Sequence, residues 1–273
     1  MKKLDDIGVA ILSHGRLDKL EKSLHSYVDN GLIETVGDSF VFFNEVSNDD
    51  INLIEHDFSM FEWGGHPQNL GIGWGMTKAI EDINTEYVLF LENDFELEPL
   101  GEDVYLQLEM GYNNIESDNV DIVRLRTMKD YLETSNEAKQ WAMKNEGKTG
   151  TGDWGLPGRD GCVERNWWMG FAAEDDFGYN NPDICEEIDQ KNNIVLWRMS
   201  CNHANWSNNP FLCKKDWFLK LAKNIGFDID VDLKPSNQRS PDFEEQMAIE
   251  SWWQKQDYKV GILPGLFIHQ YGG

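Results

Sequence analysis

Two carboxylates, one residue apart, are the sharpest chemical feature of the sequence. Glu92-Asn93-Asp94 directly follows segment 87–91, the most strand-like stretch of the chain. Ligands of open α/β folds bind at the carboxyl ends of strands. Two carboxylates at such an end can approach one hard cation, Mg²⁺ or Mn²⁺, through their oxygens. The alternative is a solvated acidic loop, because acidic residues are abundant throughout the sequence.

The elements that must position these carboxylates alternate between strand and helix patterns. Short apolar runs at 7–12, 40–43 and 87–91 are typical of buried parallel strands. Apolar residues recur at helical spacing over 16–27 and 75–83. Strands that alternate with helices indicate right-handed β-α-β units. The sequence therefore predicts an α/β fold with a mostly parallel sheet flanked by helices.

The second half of the sequence has less regular patterns. A third strand of the first half is predicted at 60–63, and the glycine-rich stretch 149–160 predicts a loop. The other predicted strands are 120–125, 194–197, 211–213, 260–263 and 266–269, and the other predicted helices are 104–110, 214–225 and 241–253. We find no internal repeat and no clear linker, so the sequence predicts one domain over 1–273.

Composition excludes several classes of protein. The 273 residues include 24 Lys+Arg and 49 Asp+Glu, which gives a formal net charge of −25. This balance argues against nucleic acid as a partner, because phosphate contacts need Lys and Arg. No apolar run approaches the roughly 18–20 residues of a membrane span. Scattered cysteines and the lack of a signal-peptide pattern predict a soluble, cytoplasmic protein.

Four segments in a fixed order resemble the nucleotide-sugar domain of GT-A glycosyltransferases, closest to the large family-2-like group. They are a strand with polar residues after it at 9–16, a strand that ends in Asn44-Glu45, the loop Asn69-Leu70-Gly71, and the strand that ends in Glu92-Asn93-Asp94. The first acid of the family's D-x-D pattern is Glu92 here. The resemblance implies a GT-A type (Rossmann-like) fold with a nucleotide-sugar-binding half at 1–100 and an acceptor-binding half at 101–273.

The same resemblance implies a donor site. The donor is a nucleotide-sugar, by default a UDP-sugar, and the cofactor is Mn²⁺ or Mg²⁺ held by Asp94, Glu92 and His269. Arg16 and Lys78 could add positive charge for an anionic diphosphate. The donor contacts that the resemblance implies are Ser13, Arg16, Asn44, Glu45, Asn69, Gly71, Lys78, Glu92 and Asn93.

Segments at 209–218 and 243–245 resemble the acceptor half of such enzymes. There the last acid of an x-E-D triplet lies near the acceptor hydroxyl, which implies Glu245, here Glu in place of Asp, as catalytic base with Glu244 as its neighbour. The alternative is two ordinary acids in the first turn of a helix, where the helix dipole favours them. Trp167 and Trp168 lie in polar surroundings and are candidates for stacking on an acceptor sugar.

The resemblance therefore implies a metal-dependent glycosyltransferase that moves a sugar to a hydroxyl of a carbohydrate or glycan acceptor, with inversion. The glycine-rich loop at 150–161 would exclude water from the donor. Two alternatives are a non-catalytic nucleotide-sugar or carbohydrate-binding module and a metal-dependent nucleotidyltransferase. The absence of a G-x-x-x-x-G-K-[ST] motif argues against a P-loop ATPase.

Overall fold

One mixed sheet organises the computed structural model, which describes residues 3–45, 54, 56–98, 102–127, 177–204, 206–228, 242–249 and 252–270. Within these ranges the strands are β1 (Leu4–Ser13), β2 (Val36–Asn44), β3 (Glu62–His66), β4 (Tyr87–Glu92), β5 (Phe95–Leu97), β6 (Ile122–Arg126), β7 (Glu186–Lys191), β8 (Ile194–Ser200), β9 (Phe211–Lys214) and β10 (Lys259–His269). The helices are α1 (Leu17–Asp29), α2 (Leu32–Thr35), α3 (Gly71–Asp82), α4 (Glu102–Glu116), α5 (Phe177–Asn180), α6 (Lys215–Asn224) and α7 (Phe243–Ala248). A short 3-10 helix covers Trp253–Lys255.

The strand order is β3-β2-β1-β4-β9-β6-β10-β8-β7, and β5 pairs with β10 outside this path. Strands β3, β2, β1 and β4 are parallel to their neighbours. Strand β9 is antiparallel to both β4 and β6, whereas β6 and β10 are parallel. Strands β8 and β7 continue the sheet in antiparallel pairs. The predicted α/β class is confirmed; the parallel pattern is continuous in the first half of the sheet and mixed in the second.

Helices on both faces explain the apolar strands. On β1, Val9 and Ile11 belong to one buried cluster with the apolar side chains of α1 and α4. The alternate residues Ala10 and Leu12 belong to a second cluster with those of α3 and α6. Because successive side chains of a strand point to opposite faces, a strand covered on both sides must be apolar throughout.

The C-terminal strand differs from its prediction. The strands predicted at 260–263 and 266–269 form one continuous strand, β10. Its pairing with β6 shifts register between Ile262 and Phe267. Gly265 lies inside this irregularity with φ of 97°, a left-handed conformation that glycine adopts without steric cost.

The observed ends of other helices and strands also differ from the predicted ones. The helix predicted over 241–253 is shorter, since α7 ends at Ala248. Helix α3 begins at Gly71, four residues before the predicted start at 75. The short strands β5 and β7 were not predicted. The predicted loop at 149–160 lies outside the described residues. None of the helices in the described part of the chain is long and apolar enough to cross a bilayer.

Candidate functional site

Parallel pairing gathers polar residues at one edge of the sheet. Strands β1, β2 and β4 end at Ser13, Asn44 and Glu92 respectively. In the register, Ser13 is opposite Phe43 of β2, and Leu12 is opposite Glu92 of β4. The turn at Asn93 and Asp94 therefore follows directly at the carboxyl edge, where α/β folds bind ligands.

Asp94 is the centre of an ionic cluster. Its side chain is almost fully buried, with 6% of its surface exposed, and its Oδ2 accepts a hydrogen bond of 2.8 Å from Nη1 of Arg16. Nε2 of His269 lies 3.2 Å from the same oxygen. Burial alone would raise the pKa of Asp94, but the hydrogen bonds and charges of His269 and Arg16 hold it below its usual value. Asp94 is therefore an ionised carboxylate at neutral pH.

Arg16 joins this carboxylate to the side chain of the preceding residue, Asn93. Its Nη2 donates to Oδ1 of Asn93 at 3.1 Å, and Nδ2 of Asn93 donates to the Gly15 carbonyl at 3.1 Å and to Oγ of Ser13 at 3.3 Å. Arg16 precedes α1 with φ of 50°, an uncommon conformation for a residue with a side chain. About half of its side chain is exposed, so the guanidinium can still contact a ligand.

A buried glutamine that sequence reasoning missed supports the cluster. The backbone N–H of Gln270 donates to the Asp94 carbonyl at 2.8 Å, and its Nε2 donates to Oγ of Ser23 at 2.8 Å. Ser23 in turn donates to the Asn93 carbonyl at 3.1 Å. Nζ of Lys19 donates to the Gln270 carbonyl at 3.2 Å. No sequence motif marks Ser23 or Gln270, because each acts through neighbours that are distant in the chain.

A second polar cluster joins the end of β2 to the glycine loop. Oδ1 of Asn44 accepts from the Leu70 N–H at 2.7 Å, and its Nδ2 donates to the Gly71 carbonyl at 3.1 Å. Nδ2 of Asn69 lies 2.9 Å from Nε2 of His14, which lies 3.2 Å from Oε2 of Glu45. The structure thus brings together the predicted residues Asn44, Glu45, Asn69 and Gly71.

Glu92 lies among other acids. Burial is the largest cause that raises the pKa of Glu92 to about 8, and the charges of Asp94 and Glu244 add to it. Glu244 and Asp242, which contribute to this effect, lie at the start of α7. Helix α7 therefore lies within electrostatic reach of the end of β4.

The two acids of α7 differ in their described contacts. Oε1 of Glu244 accepts a 2.8 Å hydrogen bond from the Asn208 N–H. Glu244 as a whole is exposed, and the protein atoms packed around its carboxylate raise its pKa by desolvation; the bond from Asn208 opposes this rise, and the charge of Asp242 adds to it. Asp242 caps the helix by accepting from the Glu244 N–H at 3.1 Å. Glu245 lies half-buried in the same first turn.

Two groups of predicted residues are not part of these clusters. The ammonium of Lys78 pairs with Glu81 and Asp82, which lie nearer the C-terminal end of α3. The glycine loop lies at the opposite, N-terminal end of that helix. Trp167 and Trp168, and the predicted water-excluding loop at 150–161, lie outside the described residues.

The oxygen and nitrogen atoms at this edge of the sheet can be compared with the ligands that a divalent cation prefers. Oδ1 of Asp94 is buried and has no hydrogen-bond partner within the described residues. An ionised, buried oxygen of this kind suits a hard cation. In the part of the chain that the structure describes, no three His, Cys, Asp or Glu side chains already stand together in the arrangement of a metal site. The donor chemistry fits a cation, and the predicted ligands Asp94, Glu92 and His269 remain a prediction.

Comparison with known proteins identifies the fold. No protein-family model matches the sequence, and no curated protein matches it. The strand order and the polar strand ends define an α/β fold of the GT-A type, as predicted.

Among solved structures, the chain is similar to S. aureus TarS 1–349 in complex with UDP, at a TM-score of 0.51 and 13% identity. It is also similar to TarS 1–349 in complex with UDP-GlcNAc, at a TM-score of 0.50 and 12% identity. The first alignment covers 98% of this chain and 60% of the TarS chain. The second covers 100% and 61%. The chain thus spans about three fifths of the length of these structures, and the likeness concerns the fold.

Proposed function

We propose that this protein is a glycosyltransferase that moves a sugar from a nucleotide-sugar donor, most simply a UDP-sugar, to a hydroxyl of a carbohydrate or glycan acceptor. The observation that carries the proposal is the cluster of Arg16, Asn93, Asp94 and His269 at the carboxyl edge of the sheet. The likeness of the fold to TarS complexes with UDP and UDP-GlcNAc supports this class of donor.

Arg16 is the protein group best placed to meet the donor diphosphate. The chain carries a net charge of −25, so a diphosphate needs local positive charge. A guanidinium binds phosphate oxygens through paired N–H donors. Its half-exposed side chain is oriented by Asp94 and Asn93, which lowers the entropic cost of that contact.

A divalent cation completes this proposal. Asp94, with Glu92 and His269, would hold Mn²⁺ or Mg²⁺, and the orphaned Oδ1 of Asp94 supports that assignment. When bound, such a cation would neutralise charge on the diphosphate leaving group. The protein's own residues orient the donor through Arg16 and hold the edge in place through the hydrogen bonds of Asn93.

The acids of α7 would serve the acceptor. One of Glu244 and Glu245 takes the proton of the acceptor hydroxyl as its oxygen attacks the anomeric carbon. The resemblance to the family favours Glu245, whereas the electrostatic reach of Glu244 to Glu92 favours Glu244. A single displacement of this kind inverts the anomeric carbon.

Calorimetric titration with nucleotide-sugars tests the donor site. UDP-GlcNAc, with and without Mn²⁺, is titrated into the wild type, Asp94→Asn and the control Asp257→Asn, which changes an exposed acid. We expect binding by the wild type and the control and a loss of at least about 10-fold in affinity for Asp94→Asn.

A wild type that binds no UDP-, GDP- or dTDP-sugar with either metal would contradict the proposal. Binding of a donor without transfer or hydrolysis would instead favour a non-catalytic nucleotide-sugar-binding module. Release of pyrophosphate from a nucleoside triphosphate would favour a nucleotidyltransferase.

A further inference from the structure

A buried arginine lies in the second half of the sheet, away from the Asp94 cluster. Arg124 of β6 exposes only 8% of its surface. Its guanidinium carbon lies 5.3 Å from the ring centre of Trp206, and its Nη1 donates to the Ser207 carbonyl. A buried charge is costly unless it is hydrogen-bonded and matched by an opposite charge. The residues around Arg124 indicate which group carries the opposite charge.

Residues 206–209, here called the bridging segment, connect this arginine to α7. Nε1 of Trp206 donates to Oδ1 of Asn208 at 3.0 Å. The backbone N–H of Asn208 donates to Oε1 of Glu244 at 2.8 Å, and its Nδ2 donates to Oδ1 of Asp242 at 3.2 Å. β6 therefore holds one side of the bridging segment, and the bridging segment holds the first turn of α7.

The charges of Arg124 and Glu244 support each other. Burial lowers the pKa of Arg124 to about 10, and the charge of Glu244 opposes that fall. Arg124 is therefore cationic at neutral pH. Among the described residues, the ionisable groups that act on Glu244 include Asp242 at the start of its helix, Glu92 from β4 and Arg124 from β6, and hydrogen bonds from Asn208 and Ser207 also lower its pKa. Of these three ionisable groups, only the arginine favours the ionised carboxylate.

We propose that Arg124 is a positioning residue that acts through the bridging segment to fix and ionise the Glu244 carboxylate, and that Glu244 is the acid that accepts the acceptor proton. The inference rests on the proposed function and chooses between the two acids of α7. In the step concerned, the acceptor O–H proton passes to Glu244 while the hydroxyl oxygen bonds to the anomeric carbon. The bond from that carbon to the diphosphate oxygen breaks, and its electron pair leaves with the diphosphate.

Two substitutions of Arg124 separate charge from volume. Arg124→Met removes the charge and keeps much of the volume, whereas Arg124→Lys keeps the charge. The assay is release of UDP from UDP-GlcNAc with water as acceptor, measured as kcat and KM across pH. For Arg124→Met we expect a fall in kcat of about 10-fold or more with KM nearly unchanged. The acidic limb of its kcat–pH profile should move to higher pH, because Glu244 loses a charge that favours its ionised form. Arg124→Lys should restore the position of that limb.

A double-substitution cycle tests whether Arg124 acts through Glu244. Glu244→Gln is compared alone and together with Arg124→Met. If the arginine acts through this acid, the double variant is no slower than Glu244→Gln. Losses that multiply, or a pH profile that Arg124→Met leaves in place, would overturn the proposal.

A readout without turnover keeps the inference separate from the proposed function. The amide proton of Asn208 reports the ionisation of Glu244 in a pH titration followed by ¹H–¹⁵N NMR. We expect its midpoint to rise in Arg124→Met, to be restored in Arg124→Lys and to disappear in Glu244→Gln. An unchanged midpoint in Arg124→Met, or in Arg124→Lys if the methionine variant does not fold, would overturn the coupling. Failure of the wild type to bind any UDP-, GDP- or dTDP-sugar would count against the proposed function and would leave the coupling of Arg124 to Glu244 to be decided by this titration.

Discussion

The parallel half of the sheet, β1 to β4 with α1 to α3, and the mixed half, β5 to β10 with α4 to α7, supply the site by different means. The parallel half contributes residues that end or closely follow strands at a common edge, as at Ser13 and Asp94. The mixed half contributes residues through long-range pairing. His269 ends β10 and is opposite Phe95 of β5, which places it against Asp94.

The two halves also differ in charge. The Asp94 cluster of the parallel half carries its own cation, Arg16, which pairs with the carboxylate. The start of α7 in the mixed half presents Asp242 and Glu244, and the buried Arg124 is the counter-charge of Glu244. This difference matches the two tasks proposed for the site, because an anionic donor needs a cation and an acceptor hydroxyl needs a base.

Removing the acid of the mixed half should have the largest effect. We expect Glu244→Gln to slow turnover of UDP-GlcNAc by about 10²–10⁴-fold, the usual contribution of a general base. Donor affinity, which the proposal assigns to the Asp94 cluster, should stay within about 2-fold. Glu245→Gln is the matched control. The opposite result, with Glu245→Gln as the slower variant, would identify Glu245 as the base instead of Glu244.

A substitution at the contact between the two halves of the sheet should have the next largest effect. Phe211 of β9 stacks on Phe90 of β4 at 5.3 Å and on Phe218 of α6 at 5.7 Å between ring centres. Phe211→Ala should lower the free energy of unfolding by about 3–5 kcal/mol in urea denaturation, because it leaves a cavity. Met60→Ala, at a side chain that is 47% exposed, is the control. Two separate unfolding transitions would show that the halves unfold independently.

Substitution of Gln270 tests how far the mixed half supports the Asp94 cluster. Gln270→Ala removes the side-chain bonds to Ser23 and the Lys19 carbonyl, and it should cost about 1–3 kcal/mol of stability. Titration with UDP-GlcNAc should show weaker donor binding, because the Asn93-Asp94 turn loses support. Gln256→Ala, which removes a single bond to the Trp252 carbonyl, should leave donor affinity unchanged. Equal affinities of the two variants would refute the supporting role.

Glu92 should give the smallest effect, seen as a pH dependence of stability. Its pKa is about 8 in the folded protein against an ordinary value of 4.5. The folded state therefore keeps a proton that the unfolded state has released, and stability falls as pH rises from about 4.5 to about 8. Glu92→Gln should remove this loss and stabilise the protein at pH 8 by about 1–2 kcal/mol, a value reduced for partial solvent access. The measurement is urea unfolding of both proteins at pH 5 and pH 8 in EDTA. An equal difference in unfolding free energy between the wild type and Glu92→Gln at the two pH values would contradict the prediction.

Much of the parallel half could be predicted from the sequence. A strand covered on both faces is a nearly continuous apolar run, so β1, β2 and β4 were recognisable, and with them the polar residues that follow each strand. The proximity of Asp94 to His269 was implied by family resemblance, since no local pattern links residues 94 and 269. The contact of Arg16 with Asp94 depends on a left-handed backbone at Arg16 that its residue type does not favour.

The mixed half could be predicted less well. Strands β5 and β7 are short or polar, and β10 contains an irregularity at Gly265 that divides its sequence pattern in two. The bridging segment has no periodic pattern. The contact of Asn208 with Glu244 joins residues 36 positions apart through a backbone N–H, so it leaves no signal in residue type.

The sequence by itself determined most of the strands and helices of the parallel half and the chemical groups that follow them, because hydrophobic periodicity and strand ends are local properties of the chain. The tertiary structure alone decided that Gln270 supports Asp94 and that Arg124 faces the charge of Glu244. These arrangements depend on the order in which distant strands pair in the sheet, and local patterns in a single sequence do not specify that order.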